Sequence, residues 1–189
     1  DVASSDVVKG AIPALAALAE GIGDPQVRNR GTIGGSLANN DPAADYPGAI
    51  LGLGATIVTT KREIAADAFI TGMFETALDE DELITAVRFP KPKRAAYAKF
   101  PNPASRYAIV GAFAAEAADG VRLAITGAGP NAFRAAAVED KLKADFAPTA
   151  LDGASWPTAG LNEDIHATAD YRAQLVVVMA KRAVAAAIA

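Results

Sequence analysis

The chain has 189 residues, 51% of them hydrophobic and 21% charged, with a net charge of −4, a composition typical of a folded globular protein. The acidic balance argues against nucleic acid as a partner. With no cysteine and one histidine, His166, the chain cannot form disulfides, ligate iron–sulfur clusters or build a multi-histidine metal site, so redox chemistry would require an organic cofactor.

The first segment has a helical pattern. Apolar residues recur at helical spacing between Ser4 and Gly23, and alanine is abundant. Pro13 lies inside this pattern, and proline suits the first turn of a helix but not its interior. The sequence therefore predicts a helix over 4–23 whose main part begins near Ile12.

Residues 24–45 differ in composition, with three glycines, two prolines, three asparagines and two arginines. Such residues favour turns, so the sequence predicts one long loop with no internal element. Asp41 as an N-cap and Pro42 in a first turn predict a helix that runs to about Leu53. Pro47 should kink or divide that helix.

Strand-like and helical patterns make up the rest of the chain. Strands are predicted at Ala55–Thr60, Glu82–Phe89, Ala95–Phe100, Tyr107–Ala117 and Val121–Thr126, and helices at Arg134–Lys143, Pro148–Leu151 and Ala169–Ile188. Asp119-Gly120 indicates a hairpin between the last two strands. Residues 90–92, Pro-Lys-Pro, indicate a boundary. The predicted fold class is α+β, with an α/β lobe followed by a small α+β domain that has a short antiparallel sheet.

The stretch from Gly31 to Ser36, GTIGGS, is a candidate binding segment. Adjacent glycines allow a ligand to approach the backbone, and converging N–H groups suit a phosphate or a flavin carbonyl. Arg28 and Arg30, just upstream, could neutralise a diphosphate or lie solvated at the surface. The segment is neither a Rossmann fingerprint nor a P-loop. These residues alone leave two interpretations open, a cofactor loop and a plain turn-rich connection.

A family resemblance extends this interpretation. The block IGDPQVRNRGTIGGSLANNDPAAD resembles the second flavin-binding segment of the medium subunit of carbon monoxide dehydrogenase and of the flavin domain in xanthine dehydrogenases. The similarity continues through ELITAVRFP, SRYAIVG and DYRAQL, and covers nearly the whole chain. It implies the second part of a PCMH-type FAD-binding domain over 1–92 and the C-terminal domain of the medium subunit over 93–189. Family members carry a further N-terminal segment with an Ala-Gly-Gly loop, which is expected to complete the FAD site.

The resemblance implies a set of FAD contacts but no catalytic residue and no metal ligand. The implied contacts are Ile22, Thr32, Ile33, Gly34, Gly35, Ser36, Asp45, Ile84, Lys99 and Tyr107. In that family the glycine segment lines FAD with backbone and hydroxyl groups, and the tyrosine lies close to the isoalloxazine ring.

Several of these residues have an ordinary structural interpretation when the residue alone is considered. The alternatives are the end of a core stripe for Ile22, a first-turn helix charge for Asp45, a buried strand residue for Ile84, a surface lysine for Lys99 and a half-buried strand aromatic for Tyr107. His166 has no implied role, and a surface position is expected for it.

By resemblance, the chain is the flavoprotein subunit of a molybdenum-containing hydroxylase. It would bind FAD and pass electrons from iron–sulfur clusters on a small subunit to quinone or NAD, while a molybdopterin large subunit oxidises the substrate. A dimer of heterotrimers is expected, located in the cytoplasm or peripherally at the inner face of the membrane. No apolar run approaches the roughly 20 residues that cross a bilayer. The alternatives are a flavin-free scaffold that only docks partner chains, and a nucleotide-binding domain of unrelated fold.

Overall fold

The N-terminal helical pattern forms two helices. In the computed structural model, which describes residues 1–189, α1 (Asp6–Ala11) is followed by α2 (Pro13–Glu20). Pro13 lies at the first position of α2, which confirms the predicted start near Ile12. The prediction of one helix over 4–23 is wrong, because a proline ring clashes with the preceding turn and has no N–H to donate to it.

Residues 24–45 contain two short helices, α3 (Pro25–Arg30) and α4 (Ile33–Asn39), so the predicted long loop is wrong. The Asp24 carboxylate accepts hydrogen bonds from the N–H groups of Gln26 (2.8 Å) and Val27 (2.9 Å) at the start of α3. The hydroxyl of Thr32 accepts the N–H of Gly35 (3.0 Å) at the start of α4. These caps satisfy free backbone donors and so offset the weak helix propensity of glycine and asparagine.

Helix α5 (Asp45–Leu53) begins later than predicted. Asp41 does not cap it, because its carboxylate accepts the N–H of Ala43 (2.8 Å) in a separate turn. Pro47 is the third residue of α5 and causes neither a kink nor a break, since N–H groups in a first turn have no helical partner. All nine residues of α5 are buried, which places this helix in the centre of the molecule.

The N-terminal half also contains two small antiparallel sheets. The first has the strand order β2-β1-β5, and the second pairs β3 with β4. The elements are β1 (Thr56–Thr59), β2 (Glu63–Ala65), α6 (Ala66–Phe69), β3 (Ile70–Gly72), β4 (Glu75–Thr76) and β5 (Ile84–Arg88). The sequence predicts β1 and β5 but not the four elements between them, because two to four residues are too few for a periodic pattern.

The C-terminal half is built on a four-stranded antiparallel sheet in the order β6-β7-β8-β9. Its strands are β6 (Arg94–Pro101), β7 (Ala108–Ala117), β8 (Gly120–Thr126) and β9 (Phe133–Arg134). The predicted hairpin joins β7 to β8, with Ala117 paired to Gly120 and the turn therefore at residues 118–119. The short strand β9 was not predicted. Together with the helices, these sheets confirm the predicted α+β fold class.

Three helical elements follow the sheet. They are α7 (Ala136–Ala144), a single 3₁₀ turn (Pro148–Leu151) and α8 (Ala169–Ile188). Helix α8 has the predicted bounds, and the Thr168 hydroxyl caps it by accepting the N–H of Tyr171 (3.2 Å). None of the helices has the length and apolar character that crossing a membrane demands.

Strand β7 separates two hydrophobic cores. Its residues alternate, so that Phe113 contributes to a core with Leu18 of α2 and Ile50 of α5. Val110 on the opposite face contributes to a second core with Met179 of α8. Each large apolar side chain buried in this way contributes about 1.5–3 kcal/mol. The sheet is therefore covered on both faces, by N-terminal helices on one side and by C-terminal helices on the other.

Glu82, just before β5, is held by hydrogen bonds to its carboxylate. Arg62 Nη2 donates to Oε2 (3.0 Å), the Thr59 hydroxyl to Oε1 (2.6 Å) and the Asp79 N–H to Oε2 (3.0 Å). These donors, Arg62 above all, lower the pKa of Glu82 from 4.5 to about 2. Its contribution to stability is therefore present above pH 4.5 and is lost as the pH falls towards 2.

We expect Glu82→Gln to lower the free energy of unfolding at pH 7. The variant should also lose less stability than the unmodified protein when the pH is lowered from 4.5 to about 2. The measurement is urea unfolding of both proteins across this pH range. Glu80→Gln, a matched change at an exposed position, should leave the pH profile as in the unmodified protein. If the free energy of unfolding changed with pH in the same way in Glu82→Gln and in the unmodified chain, the pH dependence could not be assigned to Glu82.

Candidate functional site

The GTIGGS segment forms the start of helix α4 rather than a loop. Thr32 is the N-cap, and its hydroxyl and carbonyl oxygens accept the N–H groups of Gly35 and Ser36, both at 3.0 Å. The N–H groups of Ile33 and Gly34 have no acceptor in the protein. Free amides at a helix start carry partial positive charge and suit an anionic or carbonyl oxygen.

The two glycines keep this helix start accessible. A Cβ atom built on Gly35 would lie 3.0 Å from the Thr32 hydroxyl oxygen, so a side chain there would disturb the cap. A Cβ atom on Gly34 would lie 3.9 Å from Cβ of Ile84 on β5. The structure therefore brings Ile84 next to the glycine segment, although 50 positions separate Ile84 from Gly34 in the sequence.

Asp45 and Lys99 form a buried ion pair, with Lys99 Nζ 3.0 Å from Asp45 Oδ2. Only 5% of the Asp45 side chain and 11% of the Lys99 side chain are exposed, so the surface-lysine alternative is wrong. Lys99 Nζ also donates to the carbonyl oxygen of Gly21 (2.7 Å), and the Tyr97 hydroxyl donates to Asp45 Oδ1. The pair thus joins the end of α2, the start of α5 and strand β6.

Tyr97 belongs to this network but is not among the residues that the resemblance implies. It lies two positions before Lys99 on β6, and residues two apart in a strand share a face. This periodicity is the signal that could have indicated it. Burial raises the pKa of Tyr97 well above 10.0, and the neighbouring Asp45 carboxylate raises it further. Tyr97 therefore remains a hydroxyl donor.

Burial also raises the pKa of Asp45 above 3.8, while the charge of Lys99 and the hydrogen bonds from Tyr97 and Lys99 act in the opposite direction. The net direction indicates that the loss of hydration outweighs the attraction of the partners.

Ile22 lies beside this network, at the turn after α2. Its side chain packs against the N-terminal core, and its carbonyl oxygen accepts a hydrogen bond from Arg28 Nη1 (2.9 Å). Arg106 Nη1 donates to the adjacent carbonyl of Gly23 (3.3 Å). Arg30 is exposed. Of the two arginines upstream of the glycine segment, Arg28 is therefore engaged in the turn, whereas Arg30 is free to contact an anion.

Tyr107 lies apart from the other candidates. Its side chain is 50% exposed and lines a cavity of about 290 Å³ that none of the other nine candidate residues lines. Tyr107 immediately precedes β7, and the start of that strand is fixed to the turn before Asp45, because the N–H of Ala108 donates to the carbonyl of Ala43 (3.2 Å). His166 also lines this cavity and is exposed, as expected. The chain has no cluster of three or more potential metal-binding side chains.

Comparison with known proteins assigns the family. Residues 1–92 match the model described as the FAD binding domain in molybdopterin dehydrogenase. The carbon monoxide dehydrogenase medium chain of Hydrogenophaga pseudoflava is 32% identical over 99% of this chain and 71% of that protein. The nicotine 6-hydroxylase medium subunit of Paenarthrobacter nicotinovorans is 34% identical over 97% of this chain and 70% of that protein.

Solved structures agree with these matches. The carbon monoxide dehydrogenase structure from Hydrogenophaga pseudoflava is 33% identical to this chain in sequence and matches it with a TM-score of 0.87. The match covers all of this chain and 71% of that one. Quinoline 2-oxidoreductase from Pseudomonas putida 86 shares 29% identity and a TM-score of 0.84, covering 98% of this chain and 70% of that one.

The fold and the family match over residues 1–92 define the class of this protein as a flavin-binding component of an oxidoreductase. The chain belongs to the family of FAD-binding medium subunits of molybdenum hydroxylases, as the resemblance in its sequence indicated. Members of this family are components of complexes that contain further subunits.

Proposed function

We propose that this chain holds FAD against the first turn of α4, as the flavoprotein subunit of a molybdenum-containing hydroxylase or dehydrogenase. The observation that carries the proposal is the free N–H groups of Ile33 and Gly34, beside the small exposed Gly35. These groups fit the cofactor because they offer donors without bulk. When bound, FAD collects electrons from one-electron carriers and delivers them in pairs.

The proposed FAD contacts form three groups. Thr32 to Ser36 supply backbone and hydroxyl hydrogen bonds, and Ile84 adds an apolar contact from β5 next to Gly34. Ile22, Asp45 and Lys99 surround the end of α2, where Lys99 has three N–H donors and uses two of them inside the protein. Tyr107 offers the exposed part of its ring. FAD is the only cofactor in this proposal, and no residue of the chain acts as an acid or base.

We further propose that the chain works beside an iron–sulfur small subunit and a molybdopterin large subunit, in a dimer of heterotrimers. Electrons would pass from the clusters through FAD to a quinone or NAD. The absence of cysteine supports this arrangement, because the clusters then need ligands from another chain. The location proposed is the cytoplasm, either free or at the inner face of the membrane.

The proposed domain division is 1–92 for the second part of the FAD-binding domain and 93–189 for the C-terminal domain. The extent of the family model and the Pro-Lys-Pro sequence at 90–92 support this position. The change from the small N-terminal sheets to the four-stranded sheet occurs at the same place.

Replacement of Gly35 by leucine tests the site. We expect Gly35→Leu to weaken FAD binding at least tenfold, or about 1.4 kcal/mol, because the side chain disturbs the Thr32 cap and covers the free amides. The measurement is flavin absorbance of the full-length subunit purified with its partner chains, together with the size of the complex.

Gly10→Leu is the matched control, since a Cβ on Gly10 meets nothing within 4 Å. It should retain both flavin and assembly. Full flavin content in Gly35→Leu would contradict the proposed site. A colourless unmodified complex that still assembles would contradict flavin binding itself and favour a scaffold that only docks partner chains.

A further inference from the structure

Asn40, at the end of helix α4, is a buried polar residue with an unusual backbone conformation. It is 1% exposed, and its φ of 45° places it in the left-handed region. Its N–H donates to the carbonyl of Ser36 (3.1 Å) and so closes the last turn of the helix. Asparagine tolerates this conformation better than most residues, which explains its backbone but not the contacts of its side chain.

The side chain of Asn40 bonds to both strands of the β3–β4 hairpin. Its Nδ2 donates to the carbonyl oxygen of Gly72 and to that of Glu75, both at 2.9 Å. Gly72 and Glu75 are paired with each other across the two-residue turn of the hairpin. An amide nitrogen has two N–H groups, so Asn40 uses both of them to join the end of α4 to the tip of the hairpin.

The hairpin is fixed to the N-terminal core at its base. Phe69, just before β3, is fully buried there, and its carbonyl accepts the N–H of Ala77 (2.9 Å), just after β4. The tip is weaker by itself, because two-stranded hairpins of this length are marginally stable and Phe74 in the turn has a φ of 56°, which is uncommon for a bulky residue. Asn40 therefore ties α4 to a hairpin that is anchored in the core.

Helix α4 has few other anchors. Leu37 is the only buried residue among its seven, and its two glycines have weak helix propensity. The Thr32 cap fixes the start of the helix, and the amide of Asn40 fixes its end. Asn40 also lies between two stretches of proposed FAD contacts, since the glycine segment precedes it and Asp45 follows it. Without the bonds of Asn40 to the hairpin, the end of α4 and the glycine segment would move relative to the core.

We propose that Asn40 is a positioning residue for the cofactor, because its side-chain amide fastens α4 to the β3–β4 hairpin and so holds the glycine segment in the orientation that binds FAD. The inference rests on the proposed flavin function. Asn40 acts through α4 and does not contact FAD. If α4 were mobile, FAD would have to order it on binding, and the entropy lost in that ordering would weaken the affinity.

Asn40→Gly tests the proposal, because glycine adopts the left-handed conformation without strain and removes only the side-chain bonds. The full-length subunit is purified with its partner chains, freed of flavin and titrated with FAD. We expect the Kd for FAD to rise about tenfold and the visible circular dichroism of the bound flavin to change. The unfolding temperature of the flavin-free complex should change little. A purely structural role would instead lower that temperature and leave the spectrum of the bound flavin unchanged.

A second variant and a control complete the experiment. Asn40→Ala removes the same bonds but strains the left-handed backbone, so it should bind FAD at least as weakly as Asn40→Gly and unfold at a lower temperature. Asn39→Gly, the same replacement at the exposed neighbour, should bind FAD like the unmodified complex. Unchanged affinity in Asn40→Gly, or equal weakening in Asn39→Gly, would overturn the inference, and loss of flavin in Gly35→Leu would then still support the proposed function. An unmodified complex that binds no FAD would overturn both.

Discussion

Asp45→Asn is expected to lower the free energy of unfolding by about 3–5 kcal/mol at neutral pH, because it leaves Lys99 buried without its countercharge. Asparagine retains an oxygen that can accept the Tyr97 hydroxyl, so the lost ion pair accounts for the effect. The measurement is urea unfolding at pH 7. Glu63→Gln provides the matched control, because Glu63 pairs with Arg88 at the surface, and such pairs contribute about 1 kcal/mol or less.

The double variant Asp45→Asn/Lys99→Met isolates the pair. Removal of both charges should restore most of the stability lost in Asp45→Asn, since a buried pair contributes little net stability even though the loss of one partner is costly. A double variant less stable than either single variant would contradict this account. Restored stability together with lost flavin would indicate that the pair serves the cofactor and not the fold.

Gly111→Ala is expected to cost about 3 kcal/mol, the upper part of the range for added volume in a packed core. A Cβ atom on Gly111 would lie 2.8 Å from Cζ of Tyr97 and 2.9 Å from Cγ2 of Thr126. Neither neighbour can move freely, because Tyr97 is bonded to Asp45 and the Thr126 hydroxyl lies 2.6 Å from the carbonyl oxygen of Ala44. The added methyl group therefore has to displace the network that fixes the start of α5.

The same substitution at Gly10 is the control. Nothing lies within 4 Å of a Cβ atom built there, and the position is inside α1, so Gly10→Ala should stabilise the protein by about 0.5–1 kcal/mol. Thermal unfolding of both variants gives the comparison. Equal stability of Gly111→Ala and the unmodified protein would mean that Tyr97 is not confined as described. We also expect Gly111→Ala to weaken FAD binding, whereas Gly10→Ala should not.

Elements whose signals lie within a few residues could be predicted from the sequence. Helix α8 begins after a threonine cap and has a long apolar stripe, so its bounds follow from local chemistry. The hairpin between β7 and β8 is equally local. Helices α3 and α4 were missed because glycine, proline and asparagine dominate their composition, whereas the hydrogen bonds of Asp24 and Thr32 decide their structure.

The candidate site was predictable only where a motif marks it. The glycine segment is visible in the sequence, but its helical conformation is not. Asp45 and Lys99 are 54 positions apart, and only the packing of α5 on the four-stranded sheet brings them together. Tyr97 could have been indicated by its position two residues before Lys99 on the same strand. Its bond to Asp45 depends on tertiary structure, so composition and spacing cannot show that contact.

The two cores on either side of β7 have a consequence for the way this polypeptide can be cut. The core beneath α2 and α5 includes Phe113, Ala115 and Ala124, all from beyond the Pro-Lys-Pro sequence. If residues 1–92 were expressed separately, the apolar surfaces that meet in this core would be exposed to water on both pieces. The boundary marks a change of architecture, and the segments on its two sides depend on each other to fold.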